Sequence, residues 1–253
     1  MLDGVYRERA SRLGDGAAVW HSRADATSSG RVLPDGCMDL LWRDGELSVA
    51  GPDTRAHVWT VTDGQRCTGL RLAPGAGPHV LGVPADQLTD RRVPLGALWG
   101  DARARELAER LAAAPRPGEA LEALAEERLL RAGPPAGEGA WRRAVVEATR
   151  AGRGVAETAW RLGLSERQLR RRSRAAFGYG PKTLARVLRM QRALVLAREG
   201  TPLVATAALA GYADQAHLAR EVRELAGAPM SALLAGRVGD PAPRELVAAQ
   251  EPA

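Results

Sequence analysis

A repeat in the C-terminal half limits the fold more than any other feature of this sequence. The segment Val155–Ser165 and the segment Leu203–Asp214 share the same spacing of aliphatic, alanine and glycine residues. Each reads as a helix, a glycine-containing turn and a second helix, which is the sequence form of a helix-turn-helix. One unit alone could be an ordinary helical hairpin. Two units in register favour a tandem DNA-binding module.

The residue types within the repeat fit this interpretation. Ala159 and Ala207 occupy the place where two crossing helices approach most closely, and a larger side chain there would separate them. Gly163 and Gly211 supply the left-handed backbone that ends the first helix of each unit. A serine or an aspartate then stands at the N-cap of the second helix. The pattern therefore predicts two complete helix-turn-helix units.

The positive charge of the chain lies in the half that contains the repeat. The formal net charge is +6, but residues 1–139 hold 17 Arg and no Lys against 20 Asp and Glu. Residues 140–253 hold 19 Lys and Arg against 10 Asp and Glu. A basic region favours a polyanionic partner, here double-stranded DNA, and the mildly acidic region favours a separate role.

The second helix of the first unit carries a stripe of arginines. Four of them recur at helical spacing: Arg167, Arg170, Arg171 and Arg174. Like charges at this spacing repel one another unless phosphate groups neutralise them. Arginine also forms paired hydrogen bonds with guanine in the major groove, so we expect this helix to contact DNA and read bases.

The corresponding helix of the second unit is less basic. Gln215 and Arg220 are its predicted base readers, because glutamine pairs with adenine and arginine with guanine. His217 is interpreted as a phosphate or packing contact. A helix over residues 182–199 joins the units and measures about 27 Å. With the flanking turns it brings the recognition helices near the roughly 34 Å between successive major-groove faces, so one chain is predicted to cover about two helical turns.

Residues 140–236 resemble the DNA-binding domain of the AraC/XylS family of bacterial transcription regulators. The stretch from Gly211 to Pro229 carries the resemblance, with its Gly-Tyr pair, a buried Leu, an Arg and a closing Gly-x-x-Pro. By position the resemblance implies base contacts at Arg167, Arg170 and Arg171 in the first unit and at Gln215, Ala216, Ala219 and Arg220 in the second. Where the family usually has an aromatic residue, this chain has Ser173 and Val222.

The first hundred residues have the composition of a β-rich domain, with short apolar runs between turns that contain Asp, Gly and Pro. The predicted strands are Ala17–Ser22, Cys37–Trp42, Leu47–Ala50, Ala56–Thr62 and Cys67–Leu72. Helices are predicted over Ala102–Ala114, Glu119–Ala132, Trp141–Ala151, Val155–Leu162, Glu166–Phe177, Lys182–Glu199, Leu203–Ala210, Gln215–Ala226 and Met230–Ala235.

The sequence therefore predicts an α+β protein with two domains. Residues 1–132 form a β-rich domain with trailing helices, and residues 133–139 form a linker. Residues 140–236 form an all-α DNA-binding domain in which a long helix joins the tandem units, and residues 237–253 form a flexible tail.

Residues 1–132 also resemble an uncharacterised N-terminal domain found in a subset of these regulators. The segments Arg31–Trp42, Ala50–Thr54 and Gly69–Gly75 carry the resemblance, which implies a module for sensing or dimerisation. A small-molecule effector pocket is one interpretation of its aromatic residues, and a plain hydrophobic core is the other. The candidate pocket residues are Trp20, Trp42, Trp59, Arg71 and Trp99.

Several classes of chemistry have no support in the sequence. It contains no nucleophile elbow, phosphate-binding loop or paired metal ligands, so no enzymatic activity, cofactor or metal is expected. Cys37 and Cys67 are too few for a disulfide framework and are expected to be free thiols. There is neither an apolar run of membrane-spanning length nor a secretory signal, which predicts a cytoplasmic protein without a membrane partner.

The expected function is sequence-specific binding of DNA by a transcription regulator that a small-molecule effector controls through residues 1–132. RNA polymerase and a second copy of the chain are candidate partners. Two alternatives stay open: a non-specific architectural DNA-binding protein, and a DNA-targeted enzyme with its chemistry in the first domain.

Overall fold

The structure, a computed structural model, describes residues 4–133 and 137–235, and for residues 4 and 5 the backbone alone. Its strands are β1 Gly4–Ala10, β2 Ala18–Ala24, β3 Ser28–Val32, β4 Met38–Arg43, β5 Glu46–Ala50, β6 His57–Val61, β7 Arg66–Leu72 and β8 Arg92–Pro94. Its helices are α1 Gly77–Leu81, α2 Gly96–Trp99, α3 Asp101–Ala113, α4 Pro117–Ala132, α5 Glu138–Arg150, α6 Val155–Arg161, α7 Glu166–Phe177, α8 Pro181–Arg198, α9 Leu203–Ala210, α10 Gln215–Ala226 and α11 Met230–Leu234.

The N-terminal region is built on a six-stranded antiparallel sheet. Its strand order is β1-β2-β7-β4-β5-β8, and β3 and β6 pair separately as a two-stranded antiparallel sheet that we call the ribbon. Successive side chains of a strand point to opposite faces, so Val19, Leu40 and Leu70 lie on one face. They are fully buried in one core with residues of α3 and α4 such as Leu107 and Leu121. Residues on the other face of the sheet line a cavity together with residues of the ribbon.

The C-terminal region contains two hydrophobic cores that share the long helix α8. Leu184 and Val187 pack in the core of the first unit, whereas Met190 and Leu194 pack in the core of the second. The same rigid helix therefore fixes the position of one unit relative to the other.

Both helix-turn-helix units form as the repeat predicts. Gly163 ends the first helix of its unit with φ of 65°, and Gly211 does the same with φ of 82°. Ser165 caps α7 through a complete capping box, and the Asp214 side chain caps α10 by accepting a hydrogen bond from the His217 backbone N–H. These local interactions start the two recognition helices at the predicted residues.

The predicted α+β class, with a β-rich region before a helical one, is confirmed. The predicted strands and helices all form, and their ends differ from the predicted ones by at most three residues. Five elements were not predicted because they are short or rich in charged and small residues, namely β1, β3, β8, α1 and α2. The domain boundaries stay predictions. Of the linker, residues 134–136 lie outside the described residues, as does the whole predicted tail.

Candidate nucleic-acid interface and effector cavity

The arginine stripe of α7 is exposed along its whole length. The four predicted side chains, Arg167, Arg170, Arg171 and Arg174, all lie at the surface. Arg170 forms an ion pair of 3.0 Å with Glu166 one turn earlier. Leu169 and Phe177 on the opposite face are fully buried, which fixes the orientation of the stripe.

One arginine of α7 has a structural role instead. The Arg172 guanidinium lies 4.1 Å from the centre of the Trp141 ring and forms a 2.8 Å ion pair with Glu138. It therefore ties α7 to α5. The helical period turns Arg172 away from the stripe, so charge density in the sequence overstates the number of side chains that can reach DNA.

The predicted contacts on α10 are exposed as well. The four residues are Gln215, Ala216, Ala219 and Arg220. His217 has a packing role, because its ring accepts a hydrogen bond from the Ala213 backbone N–H at 3.3 Å. The ring also meets Tyr212 edge-on, with 5.2 Å between the ring centroids.

A buried carboxylate holds α10 against α8. Glu221 accepts hydrogen bonds from Arg189 at 2.7 and 2.8 Å, and Arg186 lies 3.3 Å from it. Arg189 also stacks over the Tyr212 ring at 4.6 Å. Two basic residues of α8 thus support the second recognition helix. The sequence analysis had no signal for this cluster beyond an acidic residue in a basic region.

A cavity of about 200 Å³ lies between the six-stranded sheet and the ribbon. Three of the five candidate pocket residues line it, namely Trp20, Trp59 and Arg71. The other two do not. Trp42 alternates to the helix-covered face of β4, and Trp99 lies in α2, where its indole N–H donates to the Leu81 carbonyl at 2.9 Å. The sequence pointed to the tryptophans, but it did not show which face of the sheet each side chain occupies.

Strand register arranges the cavity wall in rows. Arg71 of β7, Asp39 of β4, Ala50 of β5 and Arg92 of β8 align as one charged row. The next row consists of Trp20, Leu41 and Ser48, and the outer row of Ser22, Cys67 and Arg43. The lining therefore changes along the cavity from a charged row, through an aromatic and apolar row, to a partly exposed outer row.

The buried Arg71 is surrounded by carboxylates. Its guanidinium lies 3.1 Å from Glu8, 3.5 Å from Asp35 and 3.8 Å from Asp39. Burial alone would lower the pKa of Arg71, but Asp39 and Asp35 outweigh it and raise that pKa well above its ordinary value. Arg71 is therefore a fixed, compensated cation.

Arg92 is compensated in the same way at the neighbouring edge. It forms a two-point ion pair with the buried Asp53 at 2.6 and 2.9 Å. Burial, and then the charge of Arg92, lower the pKa of His57, which also lines the cavity. This shift favours the neutral form of the imidazole, and the charge of Arg92 is compensated by Asp53.

The ribbon that closes the cavity also reaches the second helix-turn-helix unit. Val32, at the end of β3, lines the cavity, and the next residue, Leu33, is 1% exposed within the core of the second unit. The backbone N–H of Ala56, just before β6, donates to the carbonyl of Leu225 in α10 at 2.7 Å. The same short segment therefore contacts the cavity and a recognition helix.

The first unit is also held by the N-terminal region. The Thr89 hydroxyl donates to the carbonyl of Gly178, at the end of α7, at 2.9 Å. Gln191 of α8 donates to the carbonyl of Pro34 at 2.5 Å. Arg174 lies 3.9 Å from Asp86. The C-terminal ends of both recognition helices thus rest on the N-terminal region.

Cys37 is buried, and burial raises the pKa of the Cys67 thiol to about 12, so that Cys67 is not a reactive thiolate at pH 7. Among the described residues there is no group of three His, Cys, Asp or Glu side chains suited to a metal ion. Within the same residues no helix combines the length and apolar character needed to cross a membrane.

Two family models match the chain, one in each region. Residues 17–94 match a domain of unknown function (DUF6597), and residues 158–236 match a helix-turn-helix domain. No curated protein is significantly similar to the chain in sequence.

Solved structures of ToxT from Vibrio cholerae share a low overall similarity. ToxT from strain O395 is 9% identical with a TM-score of 0.48, over 92% of this chain and 98% of that one. ToxT from strain SCE256 with a bound unsaturated fatty acid is 8% identical with a TM-score of 0.43, over 86% and 94%. At this level the similarity assigns no ligand to this chain. The two family models confirm the domain predicted from the repeat: the chain carries a helix-turn-helix domain of the AraC type behind a domain of unknown function.

Proposed function

We propose that this protein is a sequence-specific transcription regulator that binds about two turns of duplex DNA through α7 and α10. One observation carries the proposal: two capped recognition helices, each buried on one face and polar on the other, are attached to the same rigid helix α8. This arrangement lets one chain present two reading surfaces.

The predicted roles of the exposed residues follow from their chemistry. Arg167, Arg171 and Arg220 have geometry suited to the O6 and N7 acceptors of guanine, and Gln215 suits adenine. Arg174 suits a phosphate contact, because it lies at the end of the stripe. Ala216 and Ala219 leave space for close approach and can contact a thymine methyl group.

We also propose that a small molecule in the cavity controls DNA binding. The position of the ribbon supports this proposal. One face of the ribbon lines the cavity, and Leu33, which follows β3, lies in the core of the second unit. A ligand that moves the ribbon therefore alters the support of α10. A cytoplasmic location, RNA polymerase as a partner and a dimer stay predictions.

The function is tested by selecting duplexes from a randomised library with the purified full chain. The proposal expects enrichment of one asymmetric motif about two helical turns long. An architectural protein would enrich no motif and would show a steep salt dependence with little difference between sequences. That outcome would contradict sequence-specific binding and favour an architectural role. Cys37→Ser and Cys67→Ser should leave the selected motif unchanged, whereas a DNA-targeted cysteine enzyme would lose function with binding intact.

A further inference from the structure

The charged groups in the row of Arg71 and Arg92 already satisfy one another. Arg71 has Glu8 and Asp39 beside it, and Arg92 is paired with Asp53. A charged ligand at this end would have to break a buried ion pair and leave one partner unpaired, which is strongly unfavourable. This end of the cavity therefore disfavours ligands of either charge.

Three other polar atoms of the cavity residues are neutral and buried, and they have no hydrogen-bond partner among the described residues. They are the Ser28 hydroxyl oxygen, the Trp59 indole nitrogen and the Gln65 amide oxygen. An indole N–H can only donate, an amide oxygen can only accept, and a hydroxyl can do both. Buried polar atoms are rarely left unpaired, so these atoms mark the place where a ligand would supply partners.

The walls around these atoms are flat and apolar. Trp20 comes from the six-stranded sheet and Trp59 from the ribbon, so aromatic surface is contributed from both sides of the cavity. Tyr6 stacks on Trp20 with 6.0 Å between ring centroids, which fixes that ring. Leu41 and Val61 complete the apolar surface. Such walls suit a planar ring system.

We propose that the cavity binds an uncharged planar heterocycle that carries both a hydrogen-bond acceptor and a hydrogen-bond donor, as a cyclic amide does. The acceptor atom of the ligand accepts a hydrogen bond from the Trp59 indole N–H, and its donor group donates to the Gln65 amide oxygen. The ring of the ligand packs against Trp20. The volume of about 200 Å³ limits it to a small molecule. This inference rests on the effector control proposed above and names the chemical class of the effector.

Thermal unfolding of the full chain tests the ligand class with four probes. The uncharged lactams 2-pyridone and 2-quinolone are compared with the carboxylates benzoate and 2-naphthoate, which have similar ring size. We expect a lactam to raise the melting temperature in proportion to the logarithm of its concentration, and the carboxylates to have no effect. Equal or greater stabilisation by a carboxylate, or none by any of the four probes, would overturn the proposal.

A pair of tryptophan variants locates the ligand. Trp59→Phe keeps a ring but removes the indole N–H, and is expected to weaken the affinity for the stabilising lactam by about 3- to 10-fold. Trp42→Phe, on the helix-covered face of the same region, should leave the affinity unchanged. Equal losses in both variants, or none in Trp59→Phe, would contradict the assignment. If Trp59→Phe does not fold, Gln65→Met removes the amide oxygen and is expected to give the same loss.

The outcome is separable from that of the proposed function. Melting experiments contain no DNA, and selection of duplexes contains no ligand. If the lactams do not stabilise the protein, only the proposed ligand class is rejected. If no DNA motif is selected, the proposed role as a transcription regulator is rejected.

Discussion

Arg171 and Arg220 occupy equivalent places in the two units, and both are exposed on the polar face of a recognition helix. Replacement of either by alanine should cost about 1–3 kcal/mol of DNA-binding free energy and relax specificity at one base pair. Titration of the selected duplex and its single-base variants measures both effects. Arg150→Ala, an exposed arginine of α5 outside the units, is the matched control and should keep full specificity. Uniform weakening across all sequences would instead assign Arg171 and Arg220 to phosphates.

Glu122 gives a residue-scale prediction about acid stability. Burial alone would raise the pKa of Glu122, but hydrogen bonds from Arg9, Ser11 and the backbone N–H of Arg12 lower it to about 2. Because the pKa is lower in the folded state, the stabilisation is present above the unfolded value of 4.5 and is lost as the pH falls towards 2.

The measurement is denaturant unfolding at a series of pH values. Glu122→Gln should lower the stability at pH 7 by about 2 kcal/mol and flatten its decline below pH 4.5. Glu119→Gln, an exposed neighbour on α4, serves as the control and should keep the steep decline. The pairing between Arg9 and Glu122 would be unimportant if the two variants gave the same curve.

At the scale of elements, the ribbon is the connection between the cavity and the second unit. Leu33 is 1% exposed in the core of that unit, so Leu33→Ala should destabilise the full chain by about 2–5 kcal/mol. We also expect footprinting to show loss of the second half-site while the first is retained. Val58, on the ribbon itself, is 56% exposed, and Val58→Ala should change stability by less than about 0.5 kcal/mol. If the two variants behaved alike, the segment at the ribbon would not support the second unit.

Elements with a strong local pattern could be predicted from the sequence. The repeat located α6, α7, α9 and α10 within one residue, because caps, glycine turns and helical periodicity all act locally. The ribbon strand β3 was missed because Ser28, Ser29 and Gly30 resemble a loop, and only pairing with β6 makes them a strand. Only some of the cavity residues were predicted, because strand pairing places Trp20 and Trp42 on opposite faces of the sheet.

At the scale of the whole molecule, contact between the two regions was beyond the sequence. The linker composition gave no sign that the N-terminal region would support the ends of both recognition helices through Thr89 and Ala56. These contacts join residues that are far apart in the sequence, with 89 positions between Thr89 and Gly178. They make the chain a single unit in which the spacing between α7 and α10 is fixed by α8 on one side and by the N-terminal region on the other.

The most direct measurement of that claim is affinity for the selected duplex after base pairs are inserted between its half-sites. A spacer of about five base pairs, roughly half a helical turn, moves the second half-site to the other side of the DNA. A full turn of about ten base pairs restores the face but not the distance. Because α8 is rigid, we predict that both insertions reduce the affinity to that of a single half-site. Unchanged affinity with either spacer would contradict the account.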